Sequence, residues 1–234
     1  IFFSVIFLDL KILSSRILFF DNLLELLYFN ILFTCFCLLI LINGSNFIDG
    51  LNGLLLIYMT TVIYVLLDTS LLSDTNVKLF FESDGKYILF FVITLIVITI
   101  LNLTNSLMLG DAGAYVLSFF VGYLIIICHN SNPNISPYFF ITLLWYPCYE
   151  NLFSIIRKLK NKFSPLSPDN NHLHQLIYQK FNKIISDKVI ANNASSILIN
   201  IANFIILLLA ARYPYESIYQ LKIISTSIFL YTSI

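Results

Sequence analysis

Charge is the scarcest ingredient of this 234-residue chain. Charged side chains make up 11% of it and apolar ones 59%, whereas a soluble domain carries roughly 25% charged residues. That deficit excludes an ordinary soluble domain, and the long apolar runs place the chain among polytopic membrane proteins. Thirteen basic and thirteen acidic residues cancel, so there is no basic footprint and no nucleic-acid partner is expected. The four cysteines, Cys35, Cys37, Cys128 and Cys148, lie in or beside apolar runs with no zinc-like spacing, and they read as small apolar fillers. No HExxH pattern and no internal repeat is present. The first residue is Ile, and the opening IFFSVIFL is too short to cross a bilayer and lacks the flanks of a signal peptide. It reads as the tail of a helix in a chain whose N-terminal part is missing.

The apolar runs predict helices at 29–42, 54–70, 87–103, 114–128, 138–156, 194–211 and 218–233. Residues 9–28 carry charges and alternate, which suggests a small interfacial ribbon or loop. The expected fold is therefore an all-α polytopic membrane protein with about seven transmembrane helices plus an N-terminal helix remnant, forming one domain over 1–234. Seven of the thirteen basic residues (Arg157, Lys158, Lys160, Lys162, Lys180, Lys183 and Lys188) fall in the hydrophilic stretch 157–188. By the positive-inside rule that stretch is cytoplasmic. Counting crossings backwards puts 129–137 and 68–86 outside, and 104–113 and 43–53 inside. Three polar segments thus share one face, while 9–28, with Asp9, Lys11 and Arg16, belongs to the other.

The first of these segments is NGSNFIDGLNG, residues 43–53. Its DG and NG steps favour turns, because Asn, Asp and Gly reach left-handed dihedrals cheaply. Asn43 and Asn46 precede the turn and share a helix face at i, i+3. With Asp49 they form a set of carboxylate and amides able to orient a phosphate or a hard metal ion. The second, LGDAGA (109–114), sets Asp111 between Gly110 and Gly113 at a helix start. There the backbone can approach an anion closely, or Asp111 can simply cap the helix. The third, FSPLSPDNNHLHQL (163–176), is kept extended by Pro165 and Pro168 and carries Asp169, His172 and His174. The i, i+2 histidines differ from the i, i+4 pair of helical zinc sites. They fit a phosphate-binding loop or a solvated basic loop. Glu150 and Arg157 lie about two helical turns apart on one face, as a structural pair or as site residues.

These segments together resemble the polyprenyl-phosphate N-acetylhexosamine-1-phosphate transferases, glycosyltransferase family 4. The family pattern NxxNxxDGxDGL reads here as Asn43, Asn46, Asp49, Gly50, Asn52, Gly53 and Leu54. GDxGS reads as Gly110, Asp111, Ala112, Gly113 and Ala114. The proline–acid–histidine loop reads as Pro165, Pro168, Asp169, His172, His174 and Gln175. Asn52, Ala114 and Gln175 depart from the common Asp, Ser and His. The sparse histidines make the MurNAc-pentapeptide translocase branch a poorer match, and the family's paired aspartates on an earlier loop have no counterpart.

The resemblance implies transfer of an N-acetylhexosamine-1-phosphate from a UDP-sugar to a polyprenyl phosphate, releasing UMP, to start a lipid-linked envelope glycan. It implies Mg²⁺ held chiefly by Asp111, with Asp49 and Asn46 in the catalytic network. Asn43, Gly110, Gly113, Arg157, Asp169, His172 and His174 would contact substrate. It also implies a multi-pass protein of the cell inner membrane with its site on the cytoplasmic face, and leaves a homodimer open. The alternatives are a non-catalytic fragment of such an enzyme and a small-solute membrane transporter.

Overall fold

The computed structural model describes residues 1–67, 85–160, 162 and 172–233. The segment 68–84, with most of the expected outer loop, lies outside the described residues, as do Pro165, Pro168 and Asp169. Among the described residues there are only helices: α1 (Phe2–Phe7), α2 (Leu18–Leu24), α3 (Leu27–Ile48), α4 (Leu54–Leu66), α5 (Gly85–Leu103), α6 (Gly110–Ser131), α7 (Pro137–Leu143), α8 (Trp145–Lys160), α9 (Leu173–Ile184), α10 (Lys188–Arg212) and α11 (Ser217–Thr232). The all-α expectation holds. Three of these helices, α3, α6 and α10, are long and apolar enough to cross a membrane, and α7 with α8 makes a fourth if the bent pair is one span. The expected seven crossings are not reached by that measure among the described residues. Helix α4 has only 13 residues, and the apolar part of α5, Leu89–Leu103, is also short.

Helix α3 is apolar all round, as a helix with protein on one side and lipid on the other must be. Leu38, Leu41 and Ile48 point into the core, whereas Leu32, Phe36 and Leu39 are exposed. It packs mainly on α8 and α6, and α4 packs on α10. At Gly44, α3 and α8 meet backbone to backbone: a Cβ built there would lie 2.6 Å from the carbonyl carbon of Pro147 and 3.3 Å from Cβ of Asn151. Asn151 Nδ2 donates to the carbonyl of Ile40 at 3.1 Å across the same seam. This glycine is therefore required by packing.

The single helix expected over 138–156 is instead α7 and α8, bent by 77°. Pro147 explains the break: it has no N–H, and its ring opposes the carbonyl four residues earlier, on Leu143. That carbonyl is satisfied by the buried Tyr58, whose hydroxyl donates to it at 2.9 Å and accepts from the Tyr146 N–H at 3.4 Å. Residues 9–17 form no ribbon. Asp21 in α2 accepts from the N–H and hydroxyl of Ser15 and from the Ser14 hydroxyl, which folds the strip onto the helix.

Two ends of the bundle are set apart as the crossing count predicts. At one, the Arg16 guanidinium donates to the carbonyls of Asn134 (2.6 Å), Pro133 and Tyr215 and to the Ser217 hydroxyl. His129 lies there too, 2.9 Å from the Ser14 carbonyl. Asp9 pairs with Lys11 on this side. The polar motifs meet at the other end.

Candidate functional site

Helix α3 runs six residues further than expected, through Ile48, so Asn43 and Asn46 are helical and Asp49 caps the end. The chain then turns at Gly53, whose φ of +72° favours glycine, and enters α4. Helix α6 begins at Gly110 (φ +66°) with Asp111 in its first turn. The two motifs meet directly, since Asn46 Nδ2 donates to Asp111 Oδ1 at 2.9 Å. The Asp49 carboxyl is pushed up to about 7, first by burial and then by the negative charge of Asp111.

Neutral amides hold this junction. Asn102, buried near the end of α5, accepts from the Gly53 N–H and donates to the Leu107 carbonyl at 2.8 Å. It thereby ties the turn after Asp49 to the loop before Asp111. Asn192 Oδ1 accepts from the Asn52 N–H, and Asn193 Nδ2 donates to the Leu103 carbonyl, both at 2.8 Å. The sequence reading missed all three. Their only signal was amides inside apolar helices, which are expensive there unless they bond something.

A pocket of about 490 Å³ opens at this place, lined by Asp49, Asn52, Asn102, Gly110, Asp111, Tyr178 and Lys188 among others. The first turn of α6 opens onto it at Gly110 and Asp111, where a helix N-terminus favours an anion, and Lys188 at the start of α10 adds a positive charge, whereas the Val189 and Ile190 N–H groups of α10 are taken by the Asp187 carboxylate. Beside them stand two carboxylates. Oxygen donors of this kind suit a hard divalent cation that takes its other ligands from phosphate and water. Among the described residues no group of three or more His, Cys, Asp or Glu could enclose a metal alone. The pair fits a shared cation rather than a closed metal cage.

The histidines occupy a neighbouring position. His172 and His174 are buried, at 5% and 1% exposure, with their rings stacked 5.6 Å apart. His174 Nε2 lies 2.9 Å from where a Cβ of Gly50 would be, and neither of its ring nitrogens has a hydrogen-bond partner. Burial pushes its pKa down to about 4. His172 rests on Phe47 at 5.2 Å and faces Glu150. Neither ring lines the pocket. Asn43 is exposed one turn before Asn46. The Leu109 side chain covers Gly113, with Cγ 2.8 Å from a Cβ position, while Gly110 is open. Arg157, in the last turn of α8, sets its guanidinium 5.4 Å from the Phe153 ring. Of the two readings of Glu150 and Arg157, a structural pair or site residues, the pairing is not the one formed: the Glu150 carboxylate bonds His172 and Tyr231.

The family model described as glycosyl transferase family 4 matches residues 1–129, which include both Asn46–Asp49 and Asp111. Among curated proteins, the undecaprenyl-phosphate alpha-N-acetylglucosaminyl 1-phosphate transferase of Escherichia coli (strain K12) is 27% identical over 153 residues. That match covers 64% of this chain and 41% of the relative. The proteins of the same name from Yersinia pestis and Thermotoga maritima are each 27% identical, over 158 and 144 residues. The chain thus spans about two fifths of the length of these relatives, 41% in each case. No solved structure matches it.

Proposed function

The chain belongs to glycosyl transferase family 4, and from that premise we propose that it transfers an N-acetylhexosamine-1-phosphate from a UDP-sugar to a polyprenyl phosphate and releases UMP. The product would be the first lipid-linked intermediate of an envelope glycan. One observation carries the reading: Asn46 at the end of α3 bonds Asp111 at the start of α6, 65 residues away in sequence, with Asp49 beside them on a pocket that the first turn of α6 and Lys188 also line.

The reaction joins a lipid phosphate oxygen to the β-phosphorus of the donor and breaks the bond from that phosphorus to the oxygen bridging the two phosphates. UMP leaves with that oxygen. Little covalent chemistry falls to the protein, so positioning and charge neutralisation supply the rate. Asp111 and Asp49 would hold Mg²⁺, which when bound neutralises the diphosphate and the charge growing on the leaving group. Asn46 fixes the orientation of the Asp111 carboxylate through its 2.9 Å hydrogen bond. The N-terminus of α6 and the ammonium of Lys188 would attract the diphosphate. Tyr178 offers a ring at the pocket wall. Asn43, Gly110, Gly113, Arg157 and Asp169 remain the proposed substrate contacts, as do His172 and His174, although in this structure their rings lie beneath Phe47 and Gly50 and not in the pocket wall.

Multi-pass insertion in the cell inner membrane, with the motif end at the cytoplasmic face, agrees with the clustering of basic residues around 157–188. The test is UMP release by the purified full-length protein given UDP-N-acetylglucosamine, undecaprenyl phosphate and Mg²⁺. Release that requires both substrates supports the reading. No release with any UDP-N-acetylhexosamine, or full activity in Asp111→Asn, overturns it.

A further inference from the structure

Glu150 is 1% exposed and lies within an apolar bundle, where a carboxylate is costly unless its oxygens are bonded. Three donors meet it. Its Oε1 is 2.7 Å from Nδ1 of His172 and 3.3 Å from the Leu173 N–H, and its Oε2 accepts from the Tyr231 hydroxyl at 2.7 Å. These groups come from three separate places: the first half of α8, the residue that opens α9, and the last turn of α11. Tyr231 is held edge-on by Tyr149 (5.0 Å) and Phe153 (5.6 Å), so its hydroxyl has little freedom. His172 is gripped on its other sides by Phe47 of the NGSNFIDGLNG motif and by the His174 ring. The Gln175 side chain also accepts from its N–H.

An ionised carboxylate can only accept hydrogen bonds, so the nitrogen of His172 facing Glu150 must carry a proton. In the neutral ring that leaves Nε2 as the basic nitrogen. Free imidazole side chains favour the opposite tautomer, with the proton on Nε2. We infer that Glu150 and Tyr231 are positioning residues for His172: the carboxylate fixes the Nδ1–H tautomer and the ring orientation, and the tyrosine fixes the carboxylate. The C-terminal helix α11 is thereby part of the site's machinery, although Glu150, His172 and Tyr231 all lie outside residues 1–129. The proposed transferase reading enters only in what His172 is positioned for.

The chain has three histidines, so nitrogen-15 NMR of the full-length protein labelled at histidine in lipid nanodiscs can resolve each ring. His172→Asn identifies the His172 signals by their loss. The expected wild-type spectrum has a protonated Nδ1 and an unprotonated Nε2 at His172. Glu150→Ala shifts the ring towards the Nε2–H form, and Glu150→Gln, whose amide oxygen still accepts, largely restores the native pattern. Tyr231→Phe keeps the ring packing and perturbs the His172 signals without unfolding the protein. In the UMP assay, Glu150→Ala and His172→Asn each lower kcat at least tenfold, and the double variant is no worse than either alone, as residues acting as one unit require. A His172 tautomer unchanged by Glu150→Ala, or losses that multiply in the double variant, overturns the inference. A wild type that releases no UMP refutes the transferase reading, and the NMR arm then decides the inference by itself.

Discussion

The close approach at Gly44 makes a sharp quantitative test of how the motif is held. In Gly44→Ala the new methyl would sit 2.6 Å from the carbonyl carbon of Pro147. A relaxed carbon–carbon contact needs about 3.5 Å or more, so α3 and α8 must separate by about 1 Å at this point. The obstacle is backbone beside a proline, which cannot rotate away as the tip of a side chain could. Overpacking of this kind costs about 1–3 kcal/mol, and straining the Asn151 bond to the Ile40 carbonyl adds about 1 kcal/mol. For a chain of this size that corresponds to a Tm lower by about 5–15 °C. The shift also carries Asn46 and Phe47 away from α8, so UMP release should fall more than stability alone explains. The assay is thermal unfolding in detergent, followed by turnover at a temperature where the variant stays folded. Ser45→Ala is the control: its hydroxyl is fully buried with no hydrogen-bond partner, so removing it leaves Tm unchanged or slightly raised. A Gly44→Ala protein within 1 °C of wild type with full turnover would refute the packing argument, an outcome far below the 5 °C lower bound.

Other outcomes follow from the same geometry. Asp111→Asn and Asp49→Asn should each lower UMP release by at least about 10²-fold while Tm holds or rises, because each removes one of two carboxylates that repel when no cation is bound. Asn102→Leu strands the Gly53 N–H and the Leu107 carbonyl, and should cost about 2–4 kcal/mol in unfolding experiments while weakening turnover. His174 gives a pH signature. Burial lowers its folded pKa from 6.5 to about 4, so between those values the unfolded chain binds a proton that the folded chain does not. Stability therefore falls as pH drops below 6.5, by on the order of 3 kcal/mol at pH 4, and His174→Leu should flatten that part of the Tm–pH curve. A curve identical in both proteins would show that His174 is not the group responsible.

Much of the site was legible because its signals are local. Asn43, Asn46 and Asp49 announce themselves by being polar where the neighbouring chain is apolar, and Asp111 by its flanking glycines. Basic residues gathered in 157–188 gave the orientation from which the meeting of 43–53 with 104–113 follows, and the 2.9 Å contact of Asn46 with Asp111 is that meeting. What was not legible depends on pairs distant in sequence. Glu150 could be seen as a carboxylate needing a partner, but only the fold brings Tyr231 and His172 to it instead of Arg157. The bend between α7 and α8 was hidden for a similar reason. Pro147 marks a weak point in any helix, yet whether the helix bends there depends on Tyr58, 85 residues before Leu143, satisfying the released carbonyl. The count of seven crossings is not confirmed by helix length among the described residues, since an apolar run such as 54–66 signals burial in a bundle as readily as a bilayer span.

The amide bridges of Asn102, Asn192 and Asn193 have a consequence for how the protein meets changes in its medium. Dissolved salt weakens attraction between ions but hardly touches a hydrogen bond between an amide and a peptide group. The frame that sets Asp49 opposite Asp111 should therefore keep its shape from dilute buffer to molar salt. Any fall in turnover with ionic strength would then report weaker capture of the anionic donor and acceptor, felt in KM, while the catalytic step at saturation stays constant.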